Sequence, residues 1–163
     1  MTRPTRDEWA MGLARLTAGR STCLRRAVGC VLLNERGHVL ATGYNGVAAG
    51  LPHCNEVTWS KESVQGVFHA NACPGATAKS GTNLDGCGAI HAEQNALLQC
   101  RDVYDIHTAY VTASPCVTCV KLLLNTGCQR IVYDEPYPHG SSELIWVRAG
   151  RIWDSYQDLP QRQ

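Results

Sequence analysis

The 163-residue sequence lacks a strong excess of either charge, because its formal net charge is only +1. Proteins that bind nucleic acid through the phosphates usually carry a clearly basic face, so this balance argues against a nucleic-acid partner. The sequence also has no apolar run long enough to cross a bilayer and no charged-then-apolar leader. Internal repeats and low-complexity segments are absent as well. We therefore expect a cytoplasmic chain with no membrane partner.

Cysteine, in contrast, is abundant, with nine residues. In an intracellular chain this number indicates metal ligands and buried thiols rather than disulfides. Hydrophobic residues make up 44% of the sequence, which is enough for a core. The length favours one domain spanning residues 1–163.

The order of predicted elements is a helix, two hairpin strands and then two strand–helix units. Strands are predicted at 27–33, 38–44, 108–112, 129–133 and 151–153, and helices at 5–18, 89–99, 116–125 and 141–149, with Gly127 as a helix C-cap and 134–140 as a loop. This order predicts an α/β fold with a mixed five-stranded sheet flanked by helices. Residues 47–88 show no clear periodicity, apart from a possible short helix at 59–68. A loop this long is expected either to have a function or to be held in place by an additional interaction, such as a bound metal.

Two short stretches contain the residues for metal chemistry, His91-Ala92-Glu93 and Pro115-Cys116-Val117-Thr118-Cys119. A catalytic zinc takes three protein ligands and keeps its fourth position for water. Two thiolates and one imidazole suit zinc better than magnesium or calcium, so we predict His91, Cys116 and Cys119 as its ligands. The cysteines are three residues apart, so they share one helical face, and Pro115 suits the first turn.

Glu93 distinguishes a catalytic zinc site from a structural one. A lone C-x-x-C is equally consistent with a structural zinc knuckle or with buried thiols. A carboxylate two residues after His91 has no purpose at a closed site, but it can move protons between a zinc-activated water and a substrate. H-x-E followed by P-C-x-x-C is the pattern of the zinc nucleobase deaminases.

Residues 21–137 resemble the deoxycytidylate (dCMP) deaminase family of the cytidine deaminase-like superfamily. The resemblance rests on Ser21-Thr22-Cys23-Leu24-Arg25-Arg26, Gly43-Tyr44-Asn45-Gly46, Cys87, His91 through Ala96, and Ser114-Pro115-Cys116 with Cys119. It implies a three-layer α/β/α fold and zinc-dependent hydrolysis of dCMP to dUMP and ammonia. It also implies that Asn45 contacts the sugar 3′-hydroxyl, that Ala92 and Ser114 line the cytosine pocket, and that Tyr133 lies near the nucleotide. The Asn-Gly pair also has a purely structural interpretation, as a turn.

Regulation is a further implication of the resemblance. Some members are homohexamers that dCTP activates and dTTP inhibits, with Mg²⁺ as a companion of the triphosphate. Their effector site involves the loop after the Asn-Gly pair, which here contains Gly46 and Gly50. Many members carry a proline in this loop, whereas this sequence has none, so the prediction of regulation stays open.

A second zinc is also implied, because some members hold a structural zinc at the inserted loop. The expected ligands are Cys23, Cys54, Cys73 and Cys87, with His53 or His69 as substitutes. A closed four-ligand site would pin the insertion at 47–88, which otherwise has little to bury. The alternative is a set of unbonded thiols.

The phosphate of a nucleotide needs a cation or a nest of N–H groups. Arg25, Arg26, Arg101 and Lys121 are candidates, and the sequence does not choose among them. Arg26 precedes the first strand and could serve substrate or effector. The rival functions are deamination of dCTP, 5-methyl-dCMP, cytidine or a tRNA adenosine, and a zinc-stabilised binding module. The near-neutral net charge argues against a tRNA substrate. The presence of Glu93 argues against a binding module without catalytic activity.

Overall fold

The computed structural model describes residues 3–55, 87–138 and 140–161. Its helices are α1 (Arg6–Ala18), α2 (Ala92–Gln99), α3 (Val117–Leu124) and α4 (Gly140–Arg148). Its strands are β1 (Gly29–Leu33), β2 (Val39–Tyr44), β3 (Gly46–Val47), β4 (Ala89–Ile90), β5 (Thr108–Ala113), β6 (Arg130–Glu135) and β7 (Ile152–Ser155). None of these helices combines the length and hydropathy that crossing a membrane requires.

Five strands form the central sheet in the order β2-β1-β5-β6-β7. β1 is antiparallel to both β2 and β5, whereas β5, β6 and β7 are parallel to one another. The mixed five-stranded sheet predicted from the sequence is therefore confirmed. Because β1 runs against its neighbours, its first residue lies at the same edge as the last residues of β2, β5 and β6. This edge brings together segments that are far apart in the sequence.

Both faces of the sheet are covered. Alternate residues of β1 point to opposite faces, so Val31 and Leu33 pack with α1, whereas Cys30 and Leu32 pack with the other helices. All five residues of β1 are buried as a result. The helix α1 thus forms one layer and α2, α3 and α4 the other, which confirms the three-layer α/β/α arrangement.

The helix α2 lies unusually close to β2 because the strand has Gly43 at the contact. A Cβ at this position would lie 2.3 Å from the carbonyl oxygen of Ala92 and 2.3 Å from the nitrogen of Ala96. No side chain fits in this space, so the glycine sets how near the start of α2 approaches the sheet.

Several predicted boundaries were wrong, and the start of the second helix matters most. Residues 89 and 90 form β4, which pairs with β3 in a separate two-stranded sheet, so α2 begins only at Ala92. His91 is consequently the N-cap, with extended backbone angles of φ −68° and ψ 155°. Cys116 is likewise the N-cap of α3, which places Pro115 before the cap rather than in the first turn.

Two further predictions need correction. The fourth predicted strand continues to Glu135 because Ala113 pairs with it, so Asp134 lies in β6 and not in a loop. Gly127 is not the C-cap of α3, a position that Asn125 takes. Gly127 is required instead because a Cβ there would lie 2.0 Å from the carbonyl oxygen of Tyr104. The short helix predicted at 59–68 falls outside the described residues.

Candidate active site

Three metal-ligand atoms converge where α2 and α3 begin. The Nδ1 atom of His91 lies 3.5 Å from Sγ of Cys116 and 3.4 Å from Sγ of Cys119. Zn–N bonds of about 2.0 Å and Zn–S bonds of about 2.3 Å in a tetrahedron separate nitrogen from sulfur by about 3.5 Å. The spacing and the donor set therefore fit a zinc ion with three protein ligands. Within the ranges that the structure describes, no other group brings three such ligand atoms within 4.8 Å of one another.

The first turns of the two helices fix these ligands. The amide of His91 donates to Oε1 of Gln94 at 3.0 Å, and its carbonyl accepts from the amide of Asn95 at 2.9 Å. The carbonyl of Cys116 accepts from the amide of Val120 at 2.9 Å, which starts α3 and places Cys119 on the same side. The partial positive charge of a helix N-terminus also stabilises thiolate.

The two sulfurs shift each other's pKa through the hydrogen bond between them. A hydrogen bond from Cys119 and a second from His91 lower the pKa of Cys116 to about 3. The same hydrogen bond with Cys116, together with burial, raises the pKa of Cys119. The hydrogen bond with Cys116 raises the pKa of His91 as well. A divalent cation bound by these three atoms would take the place of their protons.

Glu93 lies in the first turn of α2 and is only 4% exposed. Burial raises the pKa of its carboxyl to about 7, and it lines the same cavity as His91 and Cys116. A carboxyl in this position can accept or donate a proton within the cavity.

An open cavity extends from this cluster along the edge of the sheet. Its lining residues are Cys23, Arg25, Arg26, Val28, Asn45, Cys87, Ala89, His91, Ala92, Glu93, Ala113, Ser114, Cys116 and Tyr137. Most of them precede β1 or follow β2, β5 and β6, as the strand directions require. The structure thus brings the predicted substrate residues Asn45, Ala92 and Ser114 into one cavity with two of the predicted metal ligands, His91 and Cys116.

Tyr133 does not line this cavity, as the lining residues show. It lies in β6 and its ring packs on Trp153, with 5.5 Å between the ring centroids. The tyrosine in the lining is Tyr137, which the sequence analysis missed. Its signal was its position just after a parallel strand, where ligand sites of α/β sheets collect.

Asn45 holds the rim of the cavity together. Its Oδ1 accepts from the amide of Val28 at 2.8 Å, and its Nδ2 donates to the carbonyl of Arg26 at 2.7 Å. The side chain therefore joins the end of β2 to the start of β1. Oδ1 can accept one more hydrogen bond and Nδ2 can donate one more, and a ligand hydroxyl could form either of them.

Ser114 fixes the loop that follows β6. Its hydroxyl accepts from the amide of Tyr137 at 2.6 Å, and its own amide donates to the carbonyl of Glu135 at 2.9 Å. Because Ser114 is two residues before Cys116, this loop is tied to the segment that provides the metal ligands.

The residues predicted for a second zinc are only partly described. Cys23 and Cys87 are neighbours, and a hydrogen bond from Cys87 lowers the pKa of Cys23 to about 5. Cys54 is buried. Cys73 and His69 lie outside the described residues, and Nδ1 of His53 is 3.1 Å from the hydroxyl of Thr22.

The other predicted ligand-binding residues lie elsewhere. Gly46 and Gly50 line a second cavity, together with Tyr44, His53 and Asn95. Of the four candidate phosphate cations, Arg25 and Arg26 line the first cavity, whereas Arg101 and Lys121 are exposed residues outside its lining.

A His-Cys-Cys cluster with a glutamate two residues after the histidine is the arrangement found in the zinc nucleobase deaminases. Residues 4–135 match the family model for the cytidine and deoxycytidylate deaminase zinc-binding region. The chain belongs to this family, which confirms the predicted resemblance.

Similar proteins come from phages and yeasts. A deoxycytidylate deaminase of Mycobacterium phage D29 is 40% identical over 135 residues, which are 82% of this chain and 97% of the relative. The deoxycytidylate deaminase of Saccharomyces cerevisiae is 39% identical over 137 residues, 83% of this chain and 39% of the relative. A deoxycytidylate deaminase of Schizosaccharomyces pombe is matched over 43% of its length. This chain thus spans about two fifths of the length of these two yeast relatives.

The fold is also seen in a solved structure, the dCMP deaminase of cyanophage S-TIM5 in complex with dCMP and dUMP. It superposes with a TM-score of 0.68 and covers 95% of this chain and 99% of the phage chain, at 24% identity.

Proposed function

We propose that this chain hydrolyses dCMP to dUMP and ammonia in the first cavity. The observation that carries the proposal is the cavity that Glu93 lines together with His91 and Cys116, two members of the cluster that Cys119 completes. Relatives about 40% identical are deoxycytidylate deaminases, and the S-TIM5 enzyme with the same fold binds dCMP and dUMP.

In the overall reaction, a bond forms from water oxygen to carbon 4 of cytosine, and the bond to the exocyclic amine breaks. His91, Cys116 and Cys119 would hold the zinc ion, which would supply Lewis acidity to activate this water. Glu93 accepts a proton from the water and delivers it to the ring nitrogen next to carbon 4. It then takes the second proton from the hydroxyl formed at carbon 4 and passes it to the amine, which leaves as ammonia while the carbonyl forms at carbon 4. Ala92 and Ser114 form the walls that orient the ring, and Asn45 offers its remaining amide positions to the sugar.

The direct test replaces Glu93 by Gln in the purified protein. Because Gln cannot carry the proton, we expect dUMP formation to fall at least about 10²–10⁴-fold while zinc stays bound. Glu143→Gln, which changes an exposed glutamate of α4, is the matched control and should keep wild-type turnover. Turnover retained by Glu93→Gln would contradict the assigned proton shuttle.

A panel of cytosine compounds separates dCMP deamination from its rivals. We expect dCMP to have the highest kcat/KM among dCMP, dCTP, 5-methyl-dCMP and cytidine. A higher value for another compound would replace the assigned substrate. No turnover of any of them by zinc-loaded protein would favour the binding module.

For the inserted segment, we propose a structural zinc held by Cys23, Cys54, Cys73 and Cys87. Support comes from the adjacent thiols of Cys23 and Cys87 and from the burial of Cys54. Metal analysis of the pure protein should then find about two zinc ions per chain, and Cys54→Ser should bind about one. A single zinc in both proteins would contradict the second site.

Regulation is proposed for the second cavity, because the loop with Gly46 and Gly50 lines it. dCTP with Mg²⁺ should activate and dTTP should inhibit a homohexamer. Sedimentation with each nucleotide, combined with rate measurements, tests this arrangement. The cytoplasmic location stays a prediction.

A further inference from the structure

We infer that Asn95 is a positioning residue, which fixes the spacing between the sugar end and the reacting end of the first cavity by joining α2 to the end of β2. This inference rests on the proposed deamination of dCMP. Asn95 is outside the lining of the first cavity, so it acts through the residues at the two ends.

The two ends of the cavity belong to different elements. His91 and Glu93, at the reacting end, lie at the start of α2, whereas Asn45, which is predicted to contact the sugar, directly follows β2. One nucleotide can reach both ends only if α2 and the end of β2 keep a constant spacing. The contacts between these two elements therefore decide whether base and sugar can be held correctly at the same time.

Asn95 connects the two ends through two hydrogen bonds. Its side-chain Nδ2 donates to the carbonyl oxygen of Tyr44 at 2.8 Å, one residue before Asn45. Its backbone amide donates to the carbonyl oxygen of His91 at 2.9 Å. The half-buried Asn95 thus ties the chain beside Asn45 to the chain beside Glu93.

The neighbouring contacts do not provide the same restraint. Gly43 determines how near α2 comes to β2, but the glycine offers no side-chain hydrogen bond that would fix the helix along the strand. The ladder of β3 and β4 has only two residue pairs and ends before His91. Among the residues that the structure describes, no side-chain hydrogen bond other than that of Asn95 joins α2 to β2. Because hydrogen bonds depend on length and direction, this one sets the register of the helix against the strand.

The experiment compares dCMP with its 3′-deoxy analogue, which lacks only the 3′-hydroxyl. The wild-type protein should prefer dCMP by about 10-fold in kcat/KM, as one well-placed hydrogen bond predicts. Part of this preference should appear in kcat, because a bound hydroxyl helps to hold the ring at Glu93.

The test substitution is Asn95→Asp, which keeps the shape of the side chain but removes the donor to Tyr44. Without that donor the two ends lose their spacing, so the 3′-hydroxyl can no longer align the ring. We expect the preference to fall below about 2-fold and kcat for dCMP to fall about 10- to 100-fold. The assays contain neither dCTP nor dTTP, because Asn95 also lines the second cavity.

Two further variants serve as controls. Asn95→Gln keeps an amide donor and should restore part of both losses. Asn125→Asp makes the same substitution at an exposed residue at the end of α3 and should keep the wild-type preference. Zinc content and circular dichroism report whether each variant is folded and holds its metal. If Asn95→Asp is not folded, Asn95→Ala takes its place, because it removes the donor without adding a charge.

The results separate this inference from the proposed function. A purely structural role of Asn95 would lower the turnover of both compounds equally and leave the preference unchanged. That result in a folded variant would overturn the inference, as would a wild-type protein that deaminates both compounds equally well. In either case the proposed deamination of dCMP would still stand. A wild-type protein that does not convert dCMP would refute the proposed function and the inference together.

Discussion

At the scale of single residues, Asn45 shows how one side chain can serve structure and binding together. An Asn-Gly pair after a strand predicts a turn, and the resemblance predicts a sugar contact. The structure adds hydrogen bonds to the amide of Val28 and the carbonyl of Arg26, which join two strands at the rim. The rim therefore depends on Asn45 before any nucleotide binds.

Replacing Asn45 by Ala should lower the free energy of unfolding by about 2 kcal/mol, because two backbone groups lose their partners. Chemical denaturation measures this change. Asn125→Ala is the control, since this exposed C-cap residue should change the free energy by no more than about 0.5 kcal/mol. An Asn45 variant as stable as the control would show that water replaces both hydrogen bonds.

Among the residues of the candidate site, some could be predicted from the sequence and one could not be predicted reliably. His91, Glu93, Cys116 and Cys119 were predictable because their chemistry depends on short, fixed spacings. Tyr137 had only the weak signal of its position after a parallel strand, because its place in the cavity depends on the end of β6 meeting the segment before β1. Such a meeting is a property of strand direction, which no local pattern contains.

At the scale of elements, the start of α2 is set by its surroundings. Apolar periodicity predicted a helix from residue 89, but residues 89 and 90 instead pair with β3 in an antiparallel ladder of two residues per strand. Ladders this short have no periodicity to detect, so the prediction failed there. The apolar strands β1 and β5 were predictable because both of their faces are buried.

Gly43→Ala tests how α2 is positioned. Its Cβ would overlap backbone atoms of α2 at 2.3 Å, so the helix must move. We expect a loss of about 1–3 kcal/mol in unfolding free energy and, because Glu93 and His91 move with the helix, a loss of about 10²-fold in kcat.

Gly12→Ala is the matched control for that substitution. Nothing lies within 4 Å of a Cβ at Gly12 in α1, so the variant should gain about 0.5–1 kcal/mol in stability and keep its turnover. Equal effects of the two substitutions would contradict the close approach of α2.

At the scale of the whole molecule, a network of ion pairs and hydrogen bonds links α1 to the strands β5, β6 and β7. Asp7 of α1 accepts a hydrogen bond from Tyr110 of β5 at 2.5 Å and forms an ion pair with Arg130 of β6 at 2.8 Å. Arg130 also pairs with Asp154 of β7 at 2.7 Å. Four elements that meet only in the folded state are linked in this way.

This network makes stability depend on pH. Burial acts to raise the pKa of Asp7, but the hydrogen bonds from Arg130 and Tyr110 outweigh it, so the pKa lies below its ordinary value of 3.8. The carboxylate therefore stabilises the fold above that value, and the contribution is lost as the pH falls through the lowered pKa.

Asp7→Asn should lower the unfolding free energy by about 1–2 kcal/mol at pH 7. The difference from wild type should shrink below about pH 4, where the wild-type carboxyl of the unfolded chain is protonated. Denaturation at several pH values measures both. Asp158→Asn, at an exposed residue, serves as control, and a difference independent of pH would exclude the charge as its cause.

The strand directions also determine where a label can be attached without obstructing the cavity. The hairpin turn between β1 and β2 lies at the edge opposite the cavity, because Leu33 at the end of β1 pairs with Thr108 at the start of β5. Arg6 of α1 donates to the carbonyls of Glu35 and Arg36, so the turn is anchored while its side chains face solvent. A fluorophore or surface tether attached at Arg36 would sit a full strand length from the chemistry, leaving the mouth open to nucleotides.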